Sequence, residues 1–169
     1  IAHIEAEQAL EQRYAGLNGA ALLYAPKTLQ DIHHALFARL PAADLITPEQ
    51  EAVVPGALRQ RDVRVGQHVA PTHTSVPEFL QRSATFYGGV RRGEAALVAL
   101  ACAHQRLGWV HPFVDGNGRV MRLHTHTWLT ALGYTGGLWS PLRGFARSTE
   151  RYYALLADAD SLRRGDLDG

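Results

Sequence analysis

The sequence predicts an all-α domain carrying one small β-hairpin. Three observations carry that expectation. Residues 2–14 and 28–40 space their apolar side chains at helical intervals, and 94–107 is apolar nearly throughout. One stretch, about 59–69, alternates charged and β-branched residues in the manner of short strands. Gly, Pro and Asn-Gly punctuate the chain between these segments, and no internal repeat is present.

In order, Ile4, Ala6, Ala9 and Leu10 lie near one face of the first helix, which Asn18-Gly19 breaks. Thr28 is an N-cap candidate for a second helix through Leu40, where Leu29, Ile32, Leu36 and Phe37 recur at helical spacing and Pro41 ends the run. Residues 41–58 read as a loop with one short helix. Arg61 to Val69, with Gly66 as punctuation, forms the hairpin. Pro77-Glu78 after Thr74-Ser75 starts a helix that ends at Gly88-Gly89. The run Ala95 to Ala103 is apolar on every side, which places that helix at the centre of the domain and makes Cys102 an inert buried residue. A helix from Arg119 stops at Gly133, and a last one runs from Ser148-Thr149-Glu150 to about Ser161.

With 169 residues, the chain has the size of one domain with a full core. Its 46% hydrophobic and 20% charged residues are ordinary for a folded protein. A net charge of +1 does not suggest a nucleic-acid binder or an acidic tail. Cys102 is the only cysteine, so no internal disulfide exists, and no apolar run approaches a membrane span of about 20 residues. The chain starts at Ile1 and ends in the polar stretch 163–169. These ends lead us to expect a domain over 1–162, a linker beginning at 163–169, and a longer cytoplasmic parent protein.

The chemistry concentrates in His111-Pro112-Phe113-Val114-Asp115-Gly116-Asn117-Gly118-Arg119-Val120-Met121-Arg122. Pro112 ends the preceding helix near Val110, and Phe113 anchors an otherwise polar loop into the core. Gly116-Asn117-Gly118 permits positive backbone angles, so successive N–H groups can line one concavity that opens onto a helix N-terminus, a ready anion site. Arg119 and Arg122 are i, i+3 and share a face, which suits a polyphosphate. Asp115 is placed to ligate a hard cation bridging phosphates. His111 is the side chain there whose ordinary pKa permits general-base work near neutral pH.

The segment 111–122 resembles the motif HPFx(D/E)GNGRxxR of the Fic-domain family at every fixed position. Nine fixed residues at roughly 5% each make a chance match rarer than about one in a billion. The resemblance extends more loosely over about residues 1–160. It implies a Fic-type helical domain and an activity like that of bacterial Fic AMP transferases. Such an enzyme moves AMP from ATP, with Mg²⁺, to a Ser, Thr or Tyr hydroxyl of a target protein and releases pyrophosphate. Carried over, His111 deprotonates the hydroxyl and Asp115 holds Mg²⁺. Gly116, Asn117 and Gly118 form the anion hole, with Asn117 closest to the α-phosphate, and Arg119 and Arg122 bind the outer phosphates. The 59–69 hairpin, with Val63, Arg64 and Val65, stands where the family has a flap that lays a target segment across the site. The helix within 1–15 resembles the family's inhibitory helix. Glu5 in His3-Ile4-Glu5-Ala6 is its candidate for pairing with Arg122, although Ile1 and Ala6 depart from the pattern. Tyr152-Tyr153 stands where the family approaches the nucleobase.

Alternatives within and beyond that family remain. A Fic enzyme could transfer phosphate or another nucleotide, or remove AMP; Gly118, where the phosphate-transferring branch usually carries Lys, argues against the first. A nucleotide-sensing module of a transcriptional regulator is the other reading, with nucleic acid bound through a missing C-terminal domain. Homo-oligomers are also compatible. His104, His124 and His126 match no zinc spacing and read as hydrogen-bonded helix residues, and His33-His34 as helix surface.

Overall fold

In the computed structural model, residues 2–16, 20–66, 68–89 and 93–161 are described. Ile1, the expected break at Asn18-Gly19 and the expected linker at 163–169 lie outside them. Among the described residues eight helices follow one another: α1 (Ala2–Tyr14), α2 (Ala20–Leu23), α3 (Pro26–Phe37), α4 (Val76–Gly88), α5 (Glu94–Val110), α6 (Asn117–Ala131), α7 (Pro141–Arg147) and α8 (Thr149–Ala159). Short 3-10 turns at Ala42–Leu45 and His73–Ser75 join them. Pro occupies the first turn of α3, α4 and α7, where its missing N–H costs no hydrogen bond. Thr28 does not cap α3. It lies inside the helix, which begins at Pro26, and its hydroxyl donates to the Leu22 carbonyl at 2.5 Å.

The hub is α6, which packs against α1, α2, α3, α5 and α7. From Val120 to Leu129 every residue of it except Arg122 is buried. Several of the polar residues there find partners: His124 Nε2 lies 2.8 Å from the Leu23 carbonyl, and Thr125 donates to the Met121 carbonyl at 3.1 Å, whereas the buried Thr127 hydroxyl has none among the described residues. This corrects the expectation that put 94–107 at the centre. Helix α5 buries Ala96, Leu100, Ala103, Leu107 and Val110 against α4 and α6, whereas Leu97, Val98, Ala101 and Cys102 are exposed, Val98 at 63%. Apolar side chains all round a helix permit two covered faces but do not supply the second partner.

The hairpin is shorter than expected. Strand β1 (Arg64–Val65) pairs antiparallel with β2 (His68–Val69), with Arg64 opposite Val69 and Val65 opposite His68. Residues 59–63 precede the strand, and Gln67 lies outside the described residues. His68 Nε2 reaches the Trp109 carbonyl at 2.7 Å and fastens the hairpin to the end of α5. Among the described residues no helix is long and apolar enough to cross a membrane.

Candidate active site

The site is the turn between α5 and α6. Helix α5 ends with His111 in the left-handed region (φ 50°, ψ 61°), its N–H donating to the Leu107 carbonyl at 3.1 Å. A non-glycine residue held there marks a turn fixed by its surroundings. Phe113 is fully buried. Asn117, the first residue of α6, closes the loop by reaching back. Its Oδ1 accepts from the Phe113 N–H at 2.9 Å, and its Nδ2 donates to the Phe113 carbonyl at 2.8 Å. Gly116 has φ 80°, and a Cβ there would stand 2.3 Å from the Phe37 ring, so only glycine fits.

Two buried side chains hold this turn from behind. Arg59, only 1% exposed, donates from Nε to the His111 carbonyl at 2.8 Å. It also donates to the carbonyls of Arg61 at 2.7 Å and Pro71 at 2.5 Å, so one guanidinium ties both legs of the hairpin to the motif. His33 is buried too, which corrects its reading as helix surface. Its Nδ1 accepts from the Gly56 N–H at 2.8 Å, so Nε2 carries the proton and donates to the Asp115 carbonyl at 3.2 Å. Its ring stacks between Phe37 and Phe113, with centroids 4.3 and 4.1 Å away.

The outward face carries the charges. Asp115 Oδ1 accepts from the Gly116 N–H at 2.5 Å, and Oδ2 from Arg119 Nη2 at 2.8 Å. The first intrahelical bond of α6 is Val120 N–H to the Gly116 carbonyl, so the N–H groups of Asn117, Gly118 and Arg119 have no acceptor within the helix. Arg119 also lies over the Phe37 ring, 4.8 Å from its centroid. Gly118 leaves room beside Arg122, whose Nη1 would be 3.2 Å from a Cβ there. His111 Nδ1 lies 3.3 Å from the Gly108 carbonyl, which accepts its proton and leaves the Nε2 lone pair free. Burial pulls the His111 pKa below its ordinary value, so the ring is neutral near pH 7.

Arg122 lines an adjoining pocket of about 300 Å³ with His3, Phe145, Thr149, Tyr152 and Tyr153. Thr125 spends its proton on Met121, so His104 Nδ1 donates to Thr125 at 2.7 Å and its Nε2 accepts from the Tyr152 hydroxyl at 2.8 Å. Tyr152 is thereby oriented beside Arg122, while Tyr153 is exposed. The expected pairing of Glu5 with Arg122 is not formed. His3 faces the pocket, and Glu5, about 200° around the helix from it, is exposed. Val63 is half-buried, while Arg64 and Val65 are exposed.

Residues 23–129 match the model of the Fic/DOC family. The chain belongs to that family. Among curated Fic proteins, it is 38% identical over 80 residues to the protein adenylyltransferase Fic of Drosophila virilis, covering 47% of this chain and 16% of that one. The Fic protein of Drosophila ananassae bearing the same name is 36% identical over the same length. The chain thus spans about 16% of the length of these relatives. Two solved structures share the fold. A Fic family protein from Desulfovibrio desulfuricans G20 superposes with a TM-score of 0.63 at 23% identity, covering 94% of this chain and 45% of that one. A Fic domain containing signaling protein from Bacteroides thetaiotaomicron gives 0.62 at 18% identity, covering 94% and 55%.

Within this Fic fold, His111, Asp115, Gly116, Asn117, Gly118, Arg119 and Arg122 all fall on the one turn and first helical turns of α6. The Asn117 side chain is buried and committed to Phe113, so it is the backbone N–H that is left for a ligand. Arg59, His33 and His104 were not read from sequence as parts of the site. Their partners are mostly main-chain carbonyls and hydroxyls distant along the chain, which leave no spacing pattern.

Proposed function

We propose that this chain is the catalytic domain of a protein adenylyltransferase that places AMP on a Ser, Thr or Tyr hydroxyl of a target protein. ATP lays its phosphates along the free N–H groups of Asn117, Gly118 and Arg119, with the Arg119 and Arg122 guanidiniums balancing the outer charges. His111 Nε2 takes the proton of the target hydroxyl. The hydroxyl oxygen bonds to the α-phosphorus, the α–β bridging bond breaks, and pyrophosphate leaves. Positioning and charge balance supply most of the acceleration. Asp115 fits Mg²⁺: it is a half-exposed carboxylate whose side-chain partner is an exposed arginine, a pairing of little net strength. Asp115 would hold Mg²⁺, which when bound neutralises charge on the phosphates. The 300 Å³ pocket beside Arg122 and Tyr152 is the candidate place for the nucleoside. The exposed edge at Val65 and Val69 is a candidate for pairing an extended target segment. We place the reaction in the cytoplasm, where ATP is supplied and a chain with one cysteine needs no disulfide.

The observation that carries this reading is the neutral, lone-pair-bearing His111 at the lip of a turn that opens onto the first three N–H groups of α6, which have no acceptor within the helix. Parallel incubations with α-labelled and γ-labelled ATP test it. Label transferred to protein from the α position alone is expected. Transfer from the γ position would replace it with phosphotransfer, and nucleotide binding without transfer would support a sensor.

A further inference from the structure

One turn along α6 from Arg122, beyond the pocket that holds His3, three metal-ligating side chains that no part of the proposed reaction uses converge. His126, with a side chain 4% exposed, points Nε2 out of the core of α6 toward α1. There it meets Glu11 Oε1 at 2.8 Å and Glu7 Oε1 at 3.3 Å. All three ligand atoms lie within 4.8 Å of one another. Glu7 and Glu11 are i, i+4 on α1, so one helix face presents both carboxylates to the same point. The other imidazole nitrogen, Nδ1, has the Ser140 Oγ at 3.3 Å, and Ser140 is itself held as the N-cap of α7 by the Leu142 N–H.

From this arrangement we infer that Glu7, Glu11 and His126 bind a divalent transition metal of the zinc type. One imidazole nitrogen facing two carboxylates has a single proton to offer two anions, whereas a dication satisfies all three donors. Bonds of about 2.0–2.2 Å from a shared ion place tetrahedral ligand atoms about 3.3–3.6 Å apart. His126 and Glu7, at 3.3 Å, already stand at that separation, Glu11 at 2.8 Å from His126 must move outward by about half an ångström, and the two carboxylates lie within 4.8 Å of each other. With a metal on Nε2 the ring proton would sit on Nδ1 and be donated to the Ser140 Oγ, an outer partner of the kind that tunes metal-bound histidines. A fourth position is open, because the three residues line a pocket of about 740 Å³ that also holds Thr130, Arg143 and Arg147. The imidazole selects against Mg²⁺, so this site is chemically separate from Asp115. The histidine spacing carries no zinc signature because two of the three ligands come from a helix more than a hundred residues earlier. Occupancy would staple α1 to α6 and so fix the helix whose first turn places His3 in the Arg122 pocket.

The test uses the whole chain without nucleotide. Zn²⁺ titration by calorimetry in the presence of millimolar Mg²⁺ should give one equivalent with micromolar or tighter affinity. X-ray absorption of the complex should show one imidazole among oxygen ligands, and the thermal midpoint should rise. The variants Glu7→Gln and Glu11→Gln, at half-exposed positions that should fold normally, should each weaken binding at least tenfold. Absence of stoichiometric Zn²⁺ binding overturns the site, as does undiminished binding in the double Glu7→Gln, Glu11→Gln variant. Neither result bears on nucleotide transfer.

Discussion

The guanidinium of Arg59 donates to the carbonyl of His111 across a sequence separation of 52 residues, at 2.8 Å. A residue at the root of the hairpin therefore sets the backbone from which the proposed base projects. The same side chain reaches Arg61 and Pro71, so hairpin and base move as one unit. Desolvation lowers the affinity of Arg59 for its proton, and the Asp62 carboxylate 3.8 Å away together with the surrounding carbonyls offsets the cost of the buried charge.

Replacing Arg59 with Lys retains the charge but cannot span these carbonyls. The expected cost is about 2–4 kcal/mol in urea unfolding, from carbonyls left without donors. A drop in kcat larger than the change in KM is also expected, because His111 is displaced rather than the nucleotide. Wild-type stability and turnover would remove Arg59 from its positioning role.

Gly116→Ala tests the close approach of the turn to Phe37. The left-handed φ costs about 1–2 kcal/mol for any side chain, and the added Cβ overlaps the Phe37 ring. A thermal midpoint lower by several degrees is expected. Adding Phe37→Leu should recover part of the loss by clearing the overlap, though not the φ strain. Full stability in the single variant would show that the turn adopts another shape.

His104 provides a pH signature. Burial lowers its pKa to about 4 in the folded chain, against an ordinary value of 6.5. The unfolded chain therefore binds the extra proton first, and stability rises with pH through this window. The stabilisation is complete above about pH 6.5 and is lost as pH falls toward 4, on the order of 3 kcal/mol in all. The difference between wild-type and His104→Gln unfolding free energies, followed from pH 7.5 to 4.5, should shrink by a large part of that amount. A pH-independent difference would mean that His104 is not held neutral.

The His111 pKa is also depressed by burial, so the basic form persists below pH 6.5. The acidic limb of the kcat/KM profile should accordingly fall off at a pH below that of a free imidazole. A limb at or above pH 7 would assign the proton transfer to another group.

The motif was legible because its chemistry is local. His111 through Arg122 needs one turn and one helix start, and both follow from Pro112, Gly116 and Gly118. The fold class and most helix limits were legible for similar reasons. What lay hidden depends on which elements meet. Helix α5 is the more apolar, yet α6 is the hub, because His124, Thr125 and His126 find partners that a hydropathy pattern cannot foresee. The side of α1 turned to the site carries His3 and Glu7 rather than Glu5, and only the packing of α1 on α3 and α6 decides that rotation. Arg59 looked like one more charged residue at the start of a strand until its burial placed it behind His111.

Intact-mass spectrometry of the chain with a hydroxyl-bearing protein substrate, or with itself as substrate, in ATP and Mg²⁺ tests the central claim most directly. One adenylyl group should be added by the wild-type chain and none by His111→Ala that still binds ATP. Addition that persists in His111→Ala, or a gain of phosphate alone, would contradict the account.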